Sequence, residues 1–246
     1  TGEWLFTKSG SSDGYGFPYG DGDLREGIAL LRQDAKENGK KLWFFWLLEE
    51  QKAWLEANYP GEFTYEASRD DAEYIYEAEK LATYAGKKLH AKRNHIHQFM
   101  AQYGDRYEYV KITGDMMGEC VDVYNEWLSE KSPDETDNME LCAIKTLLMH
   151  MDVLGIRGGG IRIDGKLAAF TLGQKMDDNM AVVHIEKADN EIMGLYTVIN
   201  NQFVQHELTD VKFINREEDM GMEGLRKAKL SYYPAYMIDK FDGRPI

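Results

Sequence analysis

Three strand-like segments follow one another at residues 160–163, 166–174 and 180–186, joined by tight turns at Asp164-Gly165 and Asp177-Asp178-Asn179. Turns this short connect antiparallel neighbours, so the three are predicted to form a meander within one sheet. Helical periodicity surrounds them. Residues 107–112 read as a strand and 115–129 as a helix, with Met116, Cys120, Val123 and Trp127 near one face. A polar, Pro-containing connection at 132–138 leads to a helix at 139–154, and 155–160 read as a Gly-rich flexible turn. Beyond the meander come a helix at 191–207, a short strand at 211–214, a helix near 221–230 and a last strand at 235–241. The order is β-α-α-β-β-β-α-β-α-β.

The first third alternates in the same way. Residues 4–8 and 15–19 flank a Gly/Ser/Asp-rich turn at 9–14 and suggest a hairpin. Asp23 caps a helix whose Leu24, Ile28, Leu31 and Ala35 recur at three- and four-residue spacing, and Gly39 ends it. A buried strand at 41–46, a helix at 49–58 and two strands at 63–67 and 72–75 follow. Residues 85–103 read as one long helix, with Leu89, Ile96, Phe99 and Met100 as its apolar stripe. Strands and helices in this mixture define an α+β chain.

Composition bounds the rest. A length of 246 residues suits one large or two modest domains. With 43% hydrophobic and 12% aromatic residues, wholesale disorder is excluded. The net charge of −14 argues against generic wrapping of nucleic acid, which needs broad positive charge. Within that acidic chain, residues 87–93 hold four Lys/Arg and no acid, so they are the place to expect an anionic partner. Cys120 and Cys142 form no CxxC pair and are expected to be buried, reduced thiols of a cytoplasmic protein. The longest apolar stretch, residues 42–48, is far short of the roughly 20 needed to span a bilayer. His95 and His97, two apart, do not share a helix face, and His90 lies two turns from His97, so no metal is expected.

The strand order resembles the GNAT-type acyl-CoA N-acyltransferase fold. Residues 214–221 (Ile-Asn-Arg-Glu-Glu-Asp-Met-Gly), followed by Gly224-Leu225-Arg226-Lys227-Ala228-Lys229-Leu230-Ser231-Tyr232 and Pro234, are similar to the C-terminal signature of a bacterial family related to the C-terminal domain of phosphatidylglycerol lysyltransferases. Residues 88–95, 170–174 and 184–188 also resemble that family. The resemblance implies two tandem GNAT-like units, each a mixed, mainly antiparallel sheet flanked by helices, at 1–106 and 107–246. The basic helix 85–103 would link them. It also implies a first unit lacking its opening strand and helices, in keeping with a chain that starts at Thr1 inside a strand-like run. The implied function is acyl or aminoacyl transfer, from aminoacyl-tRNA or acyl-CoA, to an amine or hydroxyl acceptor. The alternative is a degenerate GNAT-like binding protein for an anionic small molecule or a partner.

Candidate site residues follow from charge and position. Glu186, ending the central strand, or Glu217 would act as base toward an attacking amine, and Tyr232 would protonate a leaving group. Arg216 would bind a carboxylate or phosphate bidentately, beside Asn215 and Asp219 where a strand meets a helix. Lys227 is a further phosphate contact. Lys88, Lys92 and His95, at four- and three-residue spacing, together with Arg93, would hold phosphates of tRNA, a nucleotide or an anionic head group. The position of the acetyl-CoA pyrophosphate loop reads Glu191-Ile192-Met193-Gly194-Leu195-Tyr196, in which only Gly194 fits the fold's usual pattern. His184 reads as a core histidine.

Overall fold

The computed structural model describes residues 3–10, 12–129 and 135–246, in two compact units. Thr1, Ser11 and the first part of the predicted connection at 132–138 lie outside the described residues.

The first unit comprises Thr1–Glu73, Glu218–Arg226 and Met237–Ile246. β1 (Trp4–Leu5) and β2 (Tyr19–Gly20) pair antiparallel, and Lys8 bridges Tyr15 between them, which is the predicted hairpin. α1 (Leu24–Glu37) is capped by Asp23, whose carboxylate accepts from Arg25 N at 3.0 Å. Its Ile28, Leu31 and Ala35 are buried with Tyr15, Phe44, Leu47, Leu55 and Phe63 in one core. β3 (Phe44–Leu47) is shorter than predicted, and only its end residues Phe44 and Leu47 are buried. α2 (Glu49–Asn58) has the predicted bounds. β4 (Phe63–Glu77) is one strand of 15 residues instead of two, its residues 63–73 lying in this unit. The segment 68–71 separates the two predicted strands. It stays extended because its charges are matched: Arg69 and Arg226 both reach the fully buried Asp219, and Arg226 also bonds Asp70.

The second unit comprises Tyr74–Glu217 and Lys227–Tyr236. Residues 106 and 107, where the two GNAT-like units were expected to meet, both fall inside it. α4 (His90–Tyr103) starts five residues later than the helix predicted at 85–103, and α3 (Ala78–Thr83), just before it, is a helix the sequence reading did not place. The break comes at Tyr84 and Gly86, both left-handed at φ 46° and 91°. The Arg93 guanidinium pins it by donating to the carbonyls of Tyr84 and Gly86. β5 (Tyr107–Lys111) leads through a 3₁₀ turn into α5 (Met117–Ser129). α6 (Glu135–Met149) starts within the predicted loop, and α7 (Met151–Leu154) is set off from it by His150. Cys120 is buried, and burial pushes its thiol up to about 12, but Cys142 on α6 is exposed, contrary to expectation.

β6 (Ile156–Ile163), β7 (Lys166–Lys175) and β8 (Met180–Ala188) form the predicted antiparallel meander. Its first strand absorbs the glycines predicted as a turn. Gly155 makes the turn at φ 65°, whereas Gly158–160 sit in the ladder because neighbours fill the space a Cβ would need. A Cβ on Gly158 would lie 2.8 Å from Ile112 Cβ, and one on Gly160 2.8 Å from Leu167 Cδ1. α8 (Leu195–Glu207), β9 (Phe213–Asn215), α9 (Glu223–Leu230) and β10 (Tyr236–Pro245) complete the chain, α9 and β10 each contributing residues to both units.

In the first unit the strands lie in the order β3-β10-β4, and in the second β4-β9-β8-β7-β6-β5. The sheet is mixed: β3–β10, β4–β9 and the β5-to-β8 pairs are antiparallel, and β8–β9 is parallel. In the second unit, α5 and α6 cover one face through Cys120, Tyr124, Ile144, Phe170, Leu172 and Ile185. α4 and α8 supply the other face through Phe99, Val198 and Ile199, against Ile161 and Ala169. Among the described residues, no helix is long and apolar enough to cross a membrane.

Candidate active site

The site forms where two parallel strands stop pairing. β8 and β9 are matched only over Met180–Phe213, Ala181–Ile214 and Val182–Asn215. On the other side of β8 the register with β7 shifts between Leu172–Ile185 and Gly173–Val183, leaving His184 as an extra residue. Such a bulge bends its strand and sharpens the twist. Past it, side chains replace the backbone ladder to β9. Glu186 Oε1 accepts from Arg216 Nη2 at 2.7 Å, and His184 Nδ1 lies 2.8 Å from Glu217 Oε1.

Each partner is held from behind. Glu186 Oε2 accepts from Asn200 Nδ2 on α8 at 3.2 Å, and Asn200 Oδ1 accepts from the buried Tyr84 hydroxyl at 2.9 Å. Arg216 N donates to Tyr74 O at 3.0 Å, and Lys229 Nζ donates to Arg216 O at 2.6 Å. The guanidinium lies over the rings of Tyr232 and Tyr76, at 4.8 and 5.9 Å from their centroids. Burial works against its charge, yet Glu186 and the tyrosines outweigh that, and its pKa is raised. Tyr232 is buried, and burial keeps its phenol protonated well into the alkaline range. Glu217 has a left-handed backbone, φ 56°, fixed by its N–H donating to Asn215 Oδ1 at 2.7 Å. For a residue with a Cβ this conformation is uncommon and clusters at functional sites.

The basic segment turns inward. Lys87, Lys88 and Leu89 precede α4, so Lys88 shares no helix face with Lys92. Lys88 is exposed, 5.4 Å from the Tyr233 ring, whereas Lys92 is buried with its ammonium 3.6 Å from the Tyr232 centroid. His95 Nδ1 lies 3.4 Å from Thr197 Oγ1, and burial, then Lys92, lowers its pKa.

Gly194 caps α8 at φ 86°, where α4 packs close against it. A Cβ there would lie 2.5 Å from His95 O of α4, and Thr197 N and Val198 N both donate to Gly194 O. Lys227 is exposed on α9. Asp219 belongs to the first unit, where it is fully buried between Arg69 and Arg226.

His184, read from the sequence as a core histidine, is about a quarter exposed and paired with Glu217, and Asn200 and Tyr84 escaped the sequence reading. The available signal lay in α8, where Thr197, Asn200 and Asn201 are buried among Val198, Ile199 and Phe203. Polar groups in an apolar helix imply polar partners.

The family of the phosphatidylglycerol lysyltransferase C-terminal domain matches residues 5–242. The chain belongs to that family. A crystal structure of a conserved protein of unknown function from Bacteroides thetaiotaomicron is 38% identical, with 99% of this chain and 83% of that one covered at a TM-score of 0.91. The structure of L-PGS from Bacillus licheniformis shares the fold at 16% identity and a TM-score of 0.67, covering 98% of this chain and 80% of that one. So does a tandem GNAT protein from the clavulanic acid pathway, at 12% identity and 0.51, covering 90% and 69%. An uncharacterised protein of Mycoplasmoides gallisepticum is 26% identical over 198 residues, 76% of this chain, and the match spans 60% of that relative's length. Membership of the lysyltransferase C-terminal family supports a general acyltransferase-type function.

Proposed function

We propose that the chain transfers an aminoacyl group from aminoacyl-tRNA to a hydroxyl or amine acceptor, at the parting of β8 and β9. The observation that carries this reading is the side-chain pairing beyond Val182–Asn215: Glu186 with Arg216, and His184 with Glu217. Glu217 orients the His184 ring through Nδ1 and leaves Nε2 to take the acceptor's proton. The acceptor oxygen or nitrogen attacks the ester carbonyl carbon, the bond from that carbon to the tRNA 3′-oxygen breaks, and the departing oxygen takes up a proton. His184 returns the proton it took to that oxygen, while Tyr232, buried with its phenol held protonated, stands against the Arg216 guanidinium. Glu186 is bound by Arg216 and Asn200 and serves to fix the guanidinium. Acyl-CoA is the weaker donor, because residues 191–196 keep only Gly194 of the fold's usual pyrophosphate pattern. A tRNA donor also implies a cytoplasmic setting.

Purified protein is incubated with radiolabelled aminoacyl-tRNAs and, separately, acyl-CoAs. The expected result is loss of label from tRNA that depends on protein and is largely abolished in His184→Gln and Glu217→Gln. If neither donor binds at high micromolar concentration, the transfer reading fails and a binding role without turnover takes its place.

A further inference from the structure

Trp46 is held out into solvent by a backbone that a bulky residue rarely adopts. It is 51% exposed and left-handed at φ 55°. The cause lies in the pairing of β3 with β10. Gly243 faces Phe44 and Phe241 faces Leu47, so β3 carries one residue more than its partner between those pairs. The left-handed position of such a bulge is ordinarily glycine, which has no Cβ to strain. Here it presents an indole, and strained positions of this kind cluster where ligands bind. Phe44 and Leu47 pack into the core with α1 and α2, whereas Trp43 and Phe45 alternate onto the opposite face of the sheet. The Trp46 ring stands edge-on to Phe45 at 5.2 Å, and Phe45 edge-on to Trp43 at 6.2 Å. Two ion pairs border this aromatic strip. Lys240 lies 5.5 Å from the Trp46 centroid and bonds Glu73. Arg244 lies 3.4 Å from the Trp43 centroid and bonds Asp242 at 2.9 Å.

We infer that Trp46, with the Arg244–Asp242 pair, forms a binding face for a neutral oligosaccharide of flat, equatorially substituted rings. Charge decides against other ligands. Each cation on this face is matched by its own carboxylate, so it offers no net charge to a nucleic acid or an anionic lipid surface. A proline-rich peptide stacks well on an indole, but its carbonyls only accept and proline has no N–H, so it brings no donor to Asp242. A sugar hydroxyl both donates and accepts, and so meets a guanidinium and its carboxylate together. Arg244 and Asp242 remain open to it, with 51% and 28% of their side chains exposed. An equatorially substituted pyranose also turns a flat face of C–H groups outward, which suits the negative face of an indole. The site lies within the first unit, and saccharide binding there does not depend on transfer at β8 and β9.

Chitohexaose and cellohexaose are titrated into the whole chain by calorimetry, with decaproline and polyuridylate alongside. At least one saccharide is expected to bind in the high micromolar to millimolar range, and about tenfold more weakly in Trp46→Gly. Asp242→Ala should bind it about threefold more weakly, through loss of one hydrogen-bond acceptor. Glycine relieves the left-handed strain, so the urea midpoint of Trp46→Gly should be no lower than that of wild type. That readout separates a ligand platform from a packing residue. The inference is overturned if neither saccharide binds, if either variant binds as well as wild type, or if decaproline or polyuridylate binds in place of the saccharides. A clearly lower midpoint in Trp46→Gly assigns the indole to packing and overturns it too.

Discussion

Glu186 and Arg216 meet at 2.7 Å across the parted ends of β8 and β9, each with 11% of its side chain exposed. Two charges this deep are stable only together, because either alone retains the cost of leaving water. Glu186→Ala should lower unfolding free energy by about 3–5 kcal/mol, and a Glu186→Leu/Arg216→Met double variant should recover most of it. Urea denaturation of the single and double variants measures both.

His184 and Glu217 predict the opposite balance. His184 is about a quarter exposed and Glu217 about a third, so their loss costs little stability. The transfer rate, however, should fall by about 10²–10⁴ in His184→Gln, the range for loss of a general base. Glu217→Gln keeps the shape and loses the orienting charge, so it should fall less. Single-turnover rates with saturating charged tRNA separate the two.

Lys92 gives stability a pH signature. Its folded pKa, about 8, lies below the 10.5 of an ordinary lysine, chiefly through burial. Between those values the unfolded chain holds a proton that the folded chain has released, so this residue adds stability as pH rises through that window. Below pH 8 the folded state carries the buried charge at full cost. Lys92→Met should therefore be more stable than wild type at pH 7, with the difference shrinking from pH 8 to pH 10. Urea midpoints at unit pH steps would reveal parallel curves if the residue bore no penalty.

The glycine run of β6 should resist substitution. A Cβ on Gly159 would collide with the Tyr109 hydroxyl and lie 2.9 Å from Phe203. Gly159→Ala should cost about 1–3 kcal/mol, the range for overpacking. A thermal melt of the variant, compared with Gly224→Ala, where nothing lies within 4 Å, isolates the effect.

The two cysteines should react unequally. Cys142 is exposed, while the thiol of Cys120 is buried and raised to about 12. At pH 8 an aromatic disulfide reagent should titrate one thiol quickly and the second only after denaturation.

The α+β class, the meander and most helices were legible because they rest on local periodicity, as Ile28, Leu31 and Ala35 on α1 illustrate. What failed were segments decided by distant partners. Residues 68–71 fall between two predicted strands until Asp219 and Arg226 supply the matching charges. Gly158–160 read as flexible until Ile112, Leu167 and Phe203 claim their space. The late start of α4 depends on Arg93, which holds the carbonyls of Tyr84 and Gly86. In the site, Glu186, Arg216 and Glu217 could be selected as charges near strand ends. The pairing of His184 with Glu217 could not, since it needs an unpaired residue in β8, which no periodicity announces.

That unpaired residue also fixes which way the strand faces. Leu172 faces Ile185 and Gly173 faces Val183, so removing His184 would leave both halves of the β7–β8 ladder in perfect step. The bulge and the end of the β8–β9 ladder fall within two residues of each other, so a single position of β8 carries both the bend and the side chain that meets Glu217.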